Sequence, residues 1–373
     1  MIDTIILFIP EKDFKITNYE AFNPTARGLF EPPYYKLGKG YITCVQNPTK
    51  TELRDGNYKP RLSLNKRIIK GGFSVGLKIE FSAPKMLFGN NFDELEQKDF
   101  EQLATTLHKK LQEMSVITSI EILKKAEIVG IHFGKNIILE NATSNLVINT
   151  IRKLDITKRL DNGTTDFRNE GQAIRFHTNH YELTFYDKMK DLQQAKISEK
   201  RSMEKDTQGM LDLFTKEEIA KNEVLRIELR LGTKKKLKEI LRTIGVNPKS
   251  TQFDILFNAE IAKRALIYFW NKFIEPSLNT LILCESDLNI LFHKLKTENI
   301  KDGKCLEIIG ALQLIDKYGI RTFKTMLGKN TMLWNRLQKH LSLIENNDSY
   351  LYDVFRLIKR DITEMRTVRG LKV

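Results

Sequence analysis

The chain has 373 residues, of which 41% are hydrophobic and 29% are charged. That balance is typical of a globular protein with a sizeable core, and it excludes a collagen-like, a disulfide-scaffold and a wholly disordered chain. Lys and Arg number 61 against 47 Asp and Glu, which gives a formal net charge of +14 at pH 7. Such an excess favours a polyanionic partner such as nucleic acid, although a coding bias toward Lys, Asn and Ile is the alternative explanation.

The length of the chain limits the number of domains, and its cysteines indicate the cellular compartment. At roughly 150 residues per domain, the chain is long enough for two or three domains. No apolar run approaches the roughly 20 residues that a membrane helix needs, and the opening residues lack the basic stretch of a secretory signal. The three cysteines lie far apart and form no Cys-x-x-Cys pair. We therefore expect a cytoplasmic protein without a membrane partner.

Residues 1–90 are expected to be mainly β structure. Residues 4–9, 40–45 and 74–82 are predicted strands, and the third alternates apolar with polar side chains, as a half-buried strand does. Between the second and the third, residues 47–70 are dense in Lys, Arg, Asn, Pro and Gly. We predict a basic loop or hairpin there.

The following part of the chain alternates between helical and strand patterns. Predicted helices cover residues 91–114, 143–154 and 192–222, predicted strands cover 126–133 and 224–231, and a predicted hairpin over 172–188 turns at Thr178-Asn179. Strands followed by crossing helices, with a hairpin between them, are typical of an α+β domain. We expect a mostly antiparallel sheet flanked by helices.

After Gly232 the sequence shows only helical periodicity. We therefore predict two domains, an α+β domain over residues 1–245 and an all-α C-terminal domain over residues 246–373. Gly and Pro residues interrupt the helical pattern of the second domain, as expected between the helices of a bundle.

Two short helices in the C-terminal domain form a candidate DNA-binding motif. Residues 321–327 and 331–343 are predicted helices joined by a tight turn that contains Gly328, which resembles a helix-turn-helix. The second helix carries Arg336 and Lys339, whose side chains suit contacts with phosphates. The alternative is a helical bundle that covers the sheet or mediates dimerisation.

The clearest predicted strand, residues 224–231, has one apolar and one charged face. Because successive strand side chains point to opposite faces, Arg226, Glu228 and Arg230 share the charged one. A carboxylate between two arginines stays ionised, so Glu228 could bind a divalent metal while Arg226 and Arg230 bind phosphate. The alternative is a solvated strand face with cross-strand ion pairs.

A second strand places a tyrosine on a polar face. In the segment His180–Lys188, Tyr186 shares its face with polar neighbours, including Lys188, and points away from the apolar side. Tyrosine can act as a covalent nucleophile. Its reference pKa of about 10 means that a nearby cation or metal must help it to lose its proton, and Lys188 could supply that charge. The alternative is an ordinary tyrosine on a half-exposed strand.

A third strand offers a histidine with open space around it. His132 points away from the apolar face of residues 128–134 and is flanked on its own side by Gly130 and Gly134. That space favours a metal ligand, whereas a core histidine with satisfied hydrogen bonds is the alternative. Further along, Lys234 and Lys235 lie at the predicted start of a helix, where cations oppose the helix dipole. A phosphate backbone bound there would explain them.

Five short segments occur together in the order and at the separations of a known family. They are Met1-Ile2-Asp3-Thr4, Ser82–Asn91, Tyr186-x-Lys188, Arg226-x-Glu228-x-Arg230 and Asn330-Thr331-x-x-Trp334. The chain resembles the phage and plasmid replication initiators of the filamentous-phage gene II and gene X type, which are related to the rolling-circle (HUH) nickases. The similarity spans most of the chain, although each motif is short.

The resemblance implies a metal-dependent endonuclease that nicks one strand at a replication origin and rejoins the DNA after rolling-circle replication. Tyr186 would form a 5′-phosphotyrosine, Lys188 would orient the phosphate or stabilise the phenolate, and Glu228 would help to hold Mg²⁺ or Mn²⁺. Lys85 and Asn91 lie in one of the shared segments, and we expect them to contact DNA. The implied partners are single-stranded or hairpin origin DNA and a host helicase, and self-association into a homo-oligomer is left open.

One departure from the family concerns the metal site. The filamentous-phage branch has an acidic residue on the strand that holds His132 here, whereas histidine is the metal ligand of the broader nickase superfamily. Because Mg²⁺ prefers oxygen ligands, we expect a further carboxylate, and Glu80 and Glu182 are the candidates. Two other functions remain: a non-catalytic origin-binding protein or repressor, and a relaxase or transposase that uses the same tyrosine.

Overall fold

The computed structural model describes residues 1–30, 41–49, 51–52, 56–69, 72–155, 166–168, 172–197, 223–249, 251–328, 331–344 and 349–370. In this part of the chain the protein is α+β, with a large antiparallel sheet, helices packed against it and a helical C-terminal region. This confirms the predicted fold class at the level of secondary structure and sheet type. The described helices include none with the length and hydropathy that a bilayer-spanning segment requires.

The sheet places strands from distant parts of the chain side by side. The strands are β1 (Ile2–Pro10), β2 (Lys15–Ile16), β3 (Tyr41–Gln46), β4 (Arg61–Ile69), β5 (Gly72–Ser82), β6 (Val116–Ile117), β7 (Glu127–Leu139), β8 (Asp166–Arg168), β9 (Ala173–His177), β10 (Tyr181–Asp187) and β11 (Glu223–Leu231). The main sheet has the order β3-β4-β5-β1-β7-β11-β10-β9-β8, and its neighbouring strands are antiparallel. Strands β2 and β6 pair separately.

Helices pack against the sheet and form the C-terminal part. They are α1 (Arg27–Phe30), α2 (Ala83–Phe88), α3 (Phe100–Glu113), α4 (Ile120–Lys125), α5 (Ser144–Arg152), α6 (Lys188–Ile197), α7 (Lys234–Thr243), α8 (Phe253–Leu256), α9 (Ala259–Phe273), α10 (Glu275–Cys284), α11 (Leu288–Thr297), α12 (Asp302–Tyr318), α13 (Ile320–Met326), α14 (Thr331–Leu341) and α15 (Tyr350–Glu364). Helices α9 and α15 contact β7.

The apolar face of the sheet and the C-terminal helices share one hydrophobic core. Alternate residues of β7, such as Ile131 and Phe133, face the same side as Leu229 and Leu231 of β11 and are buried. The cluster that they belong to runs from Met1 to residues of α15. The helical character after Gly232 is as predicted, and the domain boundary near residue 245 stays a prediction.

Two predicted elements differ from the observed ones in the N-terminal part. Within residues 47–70, β4 is a regular strand between β3 and β5, with Leu62 and Leu64 fully buried. The alternation of these leucines with polar residues is a strand pattern that the high charge of the segment obscured. The helix predicted over residues 91–114 begins only at Phe100, because the Asn90 side chain accepts hydrogen bonds from the Phe92 and Asp93 backbone and holds a turn there.

The predicted hairpin and the two predicted short helices of the C-terminal motif are observed, and part of one predicted helix lies outside the described residues. The hairpin forms as β9 and β10, but the strand ends at Asp187 and α6 begins at Lys188. Residues 198–222 of the predicted helix lie outside the described residues. The two short helices of the candidate DNA-binding motif form as α13 and α14.

Candidate active site on the polar face of the sheet

Cross-strand register brings the predicted site residues of three strands onto one face of the sheet. Residues directly opposite one another on neighbouring strands share a face, and β7, β11 and β10 lie side by side. Their facing residues form three rows: His132, Arg230 and Glu182; Gly134, Glu228 and Thr184; Asn136, Arg226 and Tyr186. We call the side of the sheet that carries these rows the polar face. The structure therefore confirms that His132, Glu228 and Tyr186 point to the same side.

Glu228 is a buried carboxylate held by two neighbours. It is 2% exposed, and Nε and Nη2 of Arg230 each donate to one of its oxygens at 3.1 Å. The His132 Nδ1 lies 3.6 Å from Glu228 Oε1. Burial opposes ionisation of Glu228, but Arg230 and His132 outweigh it and hold its pKa well below the usual range. Glu228 is therefore negatively charged at neutral pH.

Arg230 and Glu182 extend this charge network toward the sheet edge. Arg230 Nη1 lies 3.5 Å from Glu182 Oε2, and Arg175 of β9 approaches the same carboxylate at 3.5 Å. The carboxylate of Glu228 raises the pKa of Arg230, so the guanidinium stays charged. Arg230 was predicted to contact DNA. In the structure its side chain is 34% exposed and engages two carboxylates, so a phosphate would have to compete with them.

The described residues do not complete a site for Mg²⁺ or Mn²⁺. His132 and Glu228 are neighbours, as predicted, but Arg230 hydrogen-bonds to both oxygens of Glu228. Glu80 does not join them, because it is exposed on β5, opposite Ile6, and β1 separates that strand from β7. The described residues contain no cluster of three or more His, Cys, Asp or Glu that could hold a metal, whereas Mg²⁺ takes about six ligands.

Arg226 is an interior residue rather than an exposed phosphate ligand. It is 3% exposed, and it donates to Asp3 Oδ2 at 2.7 Å and to Asn136 Oδ1 at 2.9 Å. Its guanidinium lies across Gly134, where a Cβ would come within 2.7 Å of Nη2. Only glycine therefore allows this crossing. The structure does not support the expected contact between Arg226 and DNA, because burial and pairing occupy the guanidinium.

Tyr186 lies beside Arg226 on the polar face. Its side chain is half-buried, and Arg226 is its direct neighbour on β11. Burial raises the pKa of the Tyr186 phenol well above its usual value; Arg226 opposes this shift, and Glu228 adds to it. The phenol is therefore protonated at neutral pH. A nucleophilic role requires a proton acceptor next to it.

Lys188 is the candidate for that proton acceptor. Its Nζ lies 5.7 Å from the centroid of the Tyr186 ring and donates to Asn91 Oδ1 at 2.8 Å. Lys188 is fully buried, and burial, assisted by Arg226, lowers its pKa to about 7. Asp191 Oδ2, 3.9 Å from Nζ, opposes this shift, and the lowered pKa makes Lys188 a better proton acceptor near neutral pH than an ordinary lysine. Lys188 belongs to the first turn of α6 rather than to the strand, as stated above.

The remaining predicted DNA contacts fall into two groups. Lys85 of α2 is 7% exposed, and the half-buried Asn91 accepts a hydrogen bond from Lys188, so neither lies on an open surface. By contrast, Lys234 and Lys235 at the start of α7, and Arg336 and Lys339 of α14, are exposed. These four residues keep the exposure that their predicted contact with DNA requires.

Sequence reasoning missed the residues that hold the site residues in place through ion pairs and hydrogen bonds. Asp3 pairs with Arg226, and Glu94 accepts hydrogen bonds from the Asn136 backbone at 2.6 Å and from Lys135 Nζ at 2.8 Å. Glu94 also accepts from the Val368 backbone N–H at 3.0 Å. The segment around Val368 thus reaches the site through Glu94, Asn136 and Arg226. No local pattern links residues so far apart in the sequence.

Comparisons of the chain with protein-family models, with curated proteins and with solved structures found no match.

Proposed function

We propose that this protein is a replication initiator that nicks single-stranded DNA at an origin through Tyr186. The observation that carries the proposal is the surroundings of that phenol: a half-buried tyrosine with the Arg226 guanidinium as its strand neighbour and an amine with a pKa of about 7 beside its ring. A tyrosine with only a packing role has no need of either group. Together they provide a proton acceptor and a fixed positive charge for a phenolate.

The proposed step transfers a phosphoryl group from DNA to Tyr186. The phenol oxygen attacks the scissile phosphorus while its proton passes to the neutral amine of Lys188. The bond from phosphorus to the 3′ oxygen breaks, and the protonated Lys188 returns the proton to that oxygen. The products are a 5′-phosphotyrosine and a free 3′-hydroxyl, and attack by a 3′-hydroxyl reverses the step and rejoins the strand. Arg226 stabilises the phenolate because it is charged and close.

A divalent metal would add charge neutralisation at the phosphate oxygens. His132 and Glu228 are the described residues placed to ligate Mg²⁺ or Mn²⁺, and they alone do not complete its coordination. The steps above are therefore assigned to Tyr186, Lys188 and Arg226. Metal dependence, implied by the family resemblance, is a separate part of the proposal that metal titration tests.

The test is formation of a covalent protein–DNA adduct. Single-stranded oligonucleotides labelled at the 3′ end and tiled across the DNA that flanks the gene are incubated with the protein and Mn²⁺ or Mg²⁺. We expect a labelled species that survives denaturation and disappears in Tyr186→Phe. Tyr181→Phe is the matched control, because Tyr181 lies on the same strand but faces the core, where its ring contacts Phe269. Tight binding without an adduct would instead support a non-catalytic origin-binding protein.

A further inference from the structure

A depression opens on the polar face at the end opposite Tyr186. It has a volume of about 390 Å³ and lies where β5, β1 and β7 run side by side, with Ile6, Phe8 and Val129 on its floor and Lys78 and Lys234 on its rim. Ligand sites commonly have volumes of about 300–1,000 Å³. The depression shares no residue with the candidate active site and plays no part in the step assigned to Tyr186.

The floor of the depression is apolar because two glycines make room for it. A Cβ at Gly76 of β5 would lie 2.2 Å from Cε2 of Phe8, and a Cβ at Gly130 of β7 would lie 2.9 Å from Cδ1 of Ile6. The two β1 side chains therefore lean onto the strands on either side. Phe8 remains half-exposed. An aromatic ring and an isoleucine thus form an accessible apolar surface at this end of the polar face.

Lys78 places positive charge on one side of the Phe8 ring, and the ion pair of Glu127 with Lys234 lies on the other side. Lys78 is the direct neighbour of Phe8 on β5 and is exposed. On the other side, Glu127 of β7 is compensated by Lys234 at 2.6 Å and by a hydrogen bond from Thr251 at 3.1 Å. Lys235 adds an exposed cation next to Lys234. An exposed aromatic ring next to cations is an arrangement by which proteins hold single-stranded nucleic acid, since bases stack on the ring and phosphates contact the cations.

We propose that this depression is a subsite for single-stranded DNA, in which one base stacks on Phe8 and a flanking phosphate contacts Lys78, while a phosphate at Lys234 competes with Glu127. The choice of DNA rests on the proposed function. Along β7, nine residues separate Glu127, opposite Phe8, from Asn136 in the row of Tyr186, a distance of about 30 Å at the rise of an extended strand. DNA bound at Phe8 would cross the polar face past His132 to reach Tyr186.

The experiment measures affinity for a fluorescent single strand of about 30 nucleotides, long enough to cross the face, as a function of salt. Phe8→Leu keeps an apolar side chain but removes the stacking surface, and we expect binding to weaken about 5- to 150-fold, the effect of losing one stacked base. Phe8→Tyr should bind as the wild type does. Lys78→Ala should weaken binding and lower the slope of log affinity against log salt by about 0.7, whereas Phe8→Leu should leave that slope unchanged.

Lys98→Ala is the matched control for charge, because the Lys98 side chain is 73% exposed and does not line the depression. Thermal unfolding of Phe8→Leu shows whether its loss of binding is caused by misfolding. If it is, the comparison of Phe8→Tyr with Phe8→Leu and with Lys78→Ala still separates the effect of stacking from the effect of charge. Equal affinity of Phe8→Leu and the wild type would overturn the inference.

The same variants separate this inference from the proposed function. At saturating DNA, Phe8→Leu should still form the Tyr186 adduct, and Tyr186→Phe should bind DNA as the wild type does without forming it. Phe8-dependent binding with no adduct would retain the subsite and reject the nickase. If Phe8→Leu changes neither the DNA affinity nor the formation of the adduct, the nickase proposal is retained and the subsite is rejected.

Discussion

The two ends of the polar face use charge in opposite ways. Near Tyr186, Arg226 and Glu228 are 3% and 2% exposed and are fixed by ion pairs. Near Phe8, Lys78 and Lys234 are exposed beside an apolar floor. Buried charges keep their positions before a ligand arrives, because separating a desolvated pair is costly. An exposed lysine such as Lys78 can instead follow a flexible backbone, whereas Lys234 is held by Glu127. One end suits positioned chemistry, and the other suits binding that tolerates sequence variation.

The largest expected effect comes from Lys188, which tests whether the buried end performs chemistry. Lys188→Arg keeps the charge but removes the group that can be neutral near pH 7, so we expect adduct formation to slow by about 10²–10⁴-fold, the usual contribution of a general base. Because the protonated amine cannot accept a proton, the wild-type rate should rise with pH through about 7 and then level off.

Single-turnover rates across this pH range provide the measurement. Lys190→Arg is the control, since Lys190 lies on the same helix with a 40% exposed side chain and pairs with Asp187. A rate independent of pH, or an unchanged rate in Lys188→Arg, would contradict the role of Lys188.

The second effect tests whether the buried pairs hold the site together. Arg226→Leu leaves Asp3 buried without its partner, and we expect a loss of about 3–5 kcal/mol in the free energy of unfolding, measured by urea denaturation. Adding Asp3→Leu should restore part of it. Arg175→Leu is the comparison, because its ion pair with Glu182 is partly exposed. A loss no larger in Arg226→Leu than in Arg175→Leu would show that burial does not decide the cost.

A third, smaller effect concerns the segment that contacts Glu94. Val368→Pro removes the backbone N–H that donates to Glu94 Oε2 at 3.0 Å, and we expect it to destabilise the protein by about 1–3 kcal/mol. Val368→Ala keeps that N–H and should cost less. Comparable losses in the two variants would assign the effect to the packing of the valine side chain, which contacts the cluster around Phe92.

The smallest effect is expected at the exposed margin of the charge network. Glu182 lies 3.5 Å from each of two arginines, and its side chain is 29% exposed. Solvent screens such pairs, so Glu182→Gln should change the free energy of unfolding by no more than about 1 kcal/mol. A larger loss of unfolding free energy in the same urea measurement would mean that the buried region extends further along β10 than the exposure of Glu182 indicates.

Strand alternation predicted the facing of the site well. The period of two is enough to place Tyr186, Glu228 and His132 on the side of each strand opposite the apolar residues, and the antiparallel register then aligns them. Alternation does not indicate depth, however. Arg226 occupies the expected side but is buried, because Asp3 approaches from another part of the chain, and Lys188 lies beyond the end of β10, where Asn91 contacts it.

The contribution of Asp3 shows why such partners escape sequence reasoning. The pairing of β1 with β7 shifts register between Ile2 and Ile5, and Asp3 lies within that irregularity, where it reaches Arg226. The pattern of β1 alone gives no sign of the shift. The depression at Phe8 is hidden for a similar reason, since its glycines lie on two strands that are far apart in the sequence.

The order of strands in the sheet has a consequence for how the site comes into being. Strands β3, β4 and β5 form one run of hairpin-like neighbours and β8, β9 and β10 another, whereas β7 meets β1 and β11 only through long-range pairing. Contacts between distant segments form late, since closing long loops is entropically unfavourable. We expect Tyr186 of β10 and the charged residues of β7 and β11 to come together only when these long-range pairs form. A partly folded chain would then lack the assembled polar face around Tyr186.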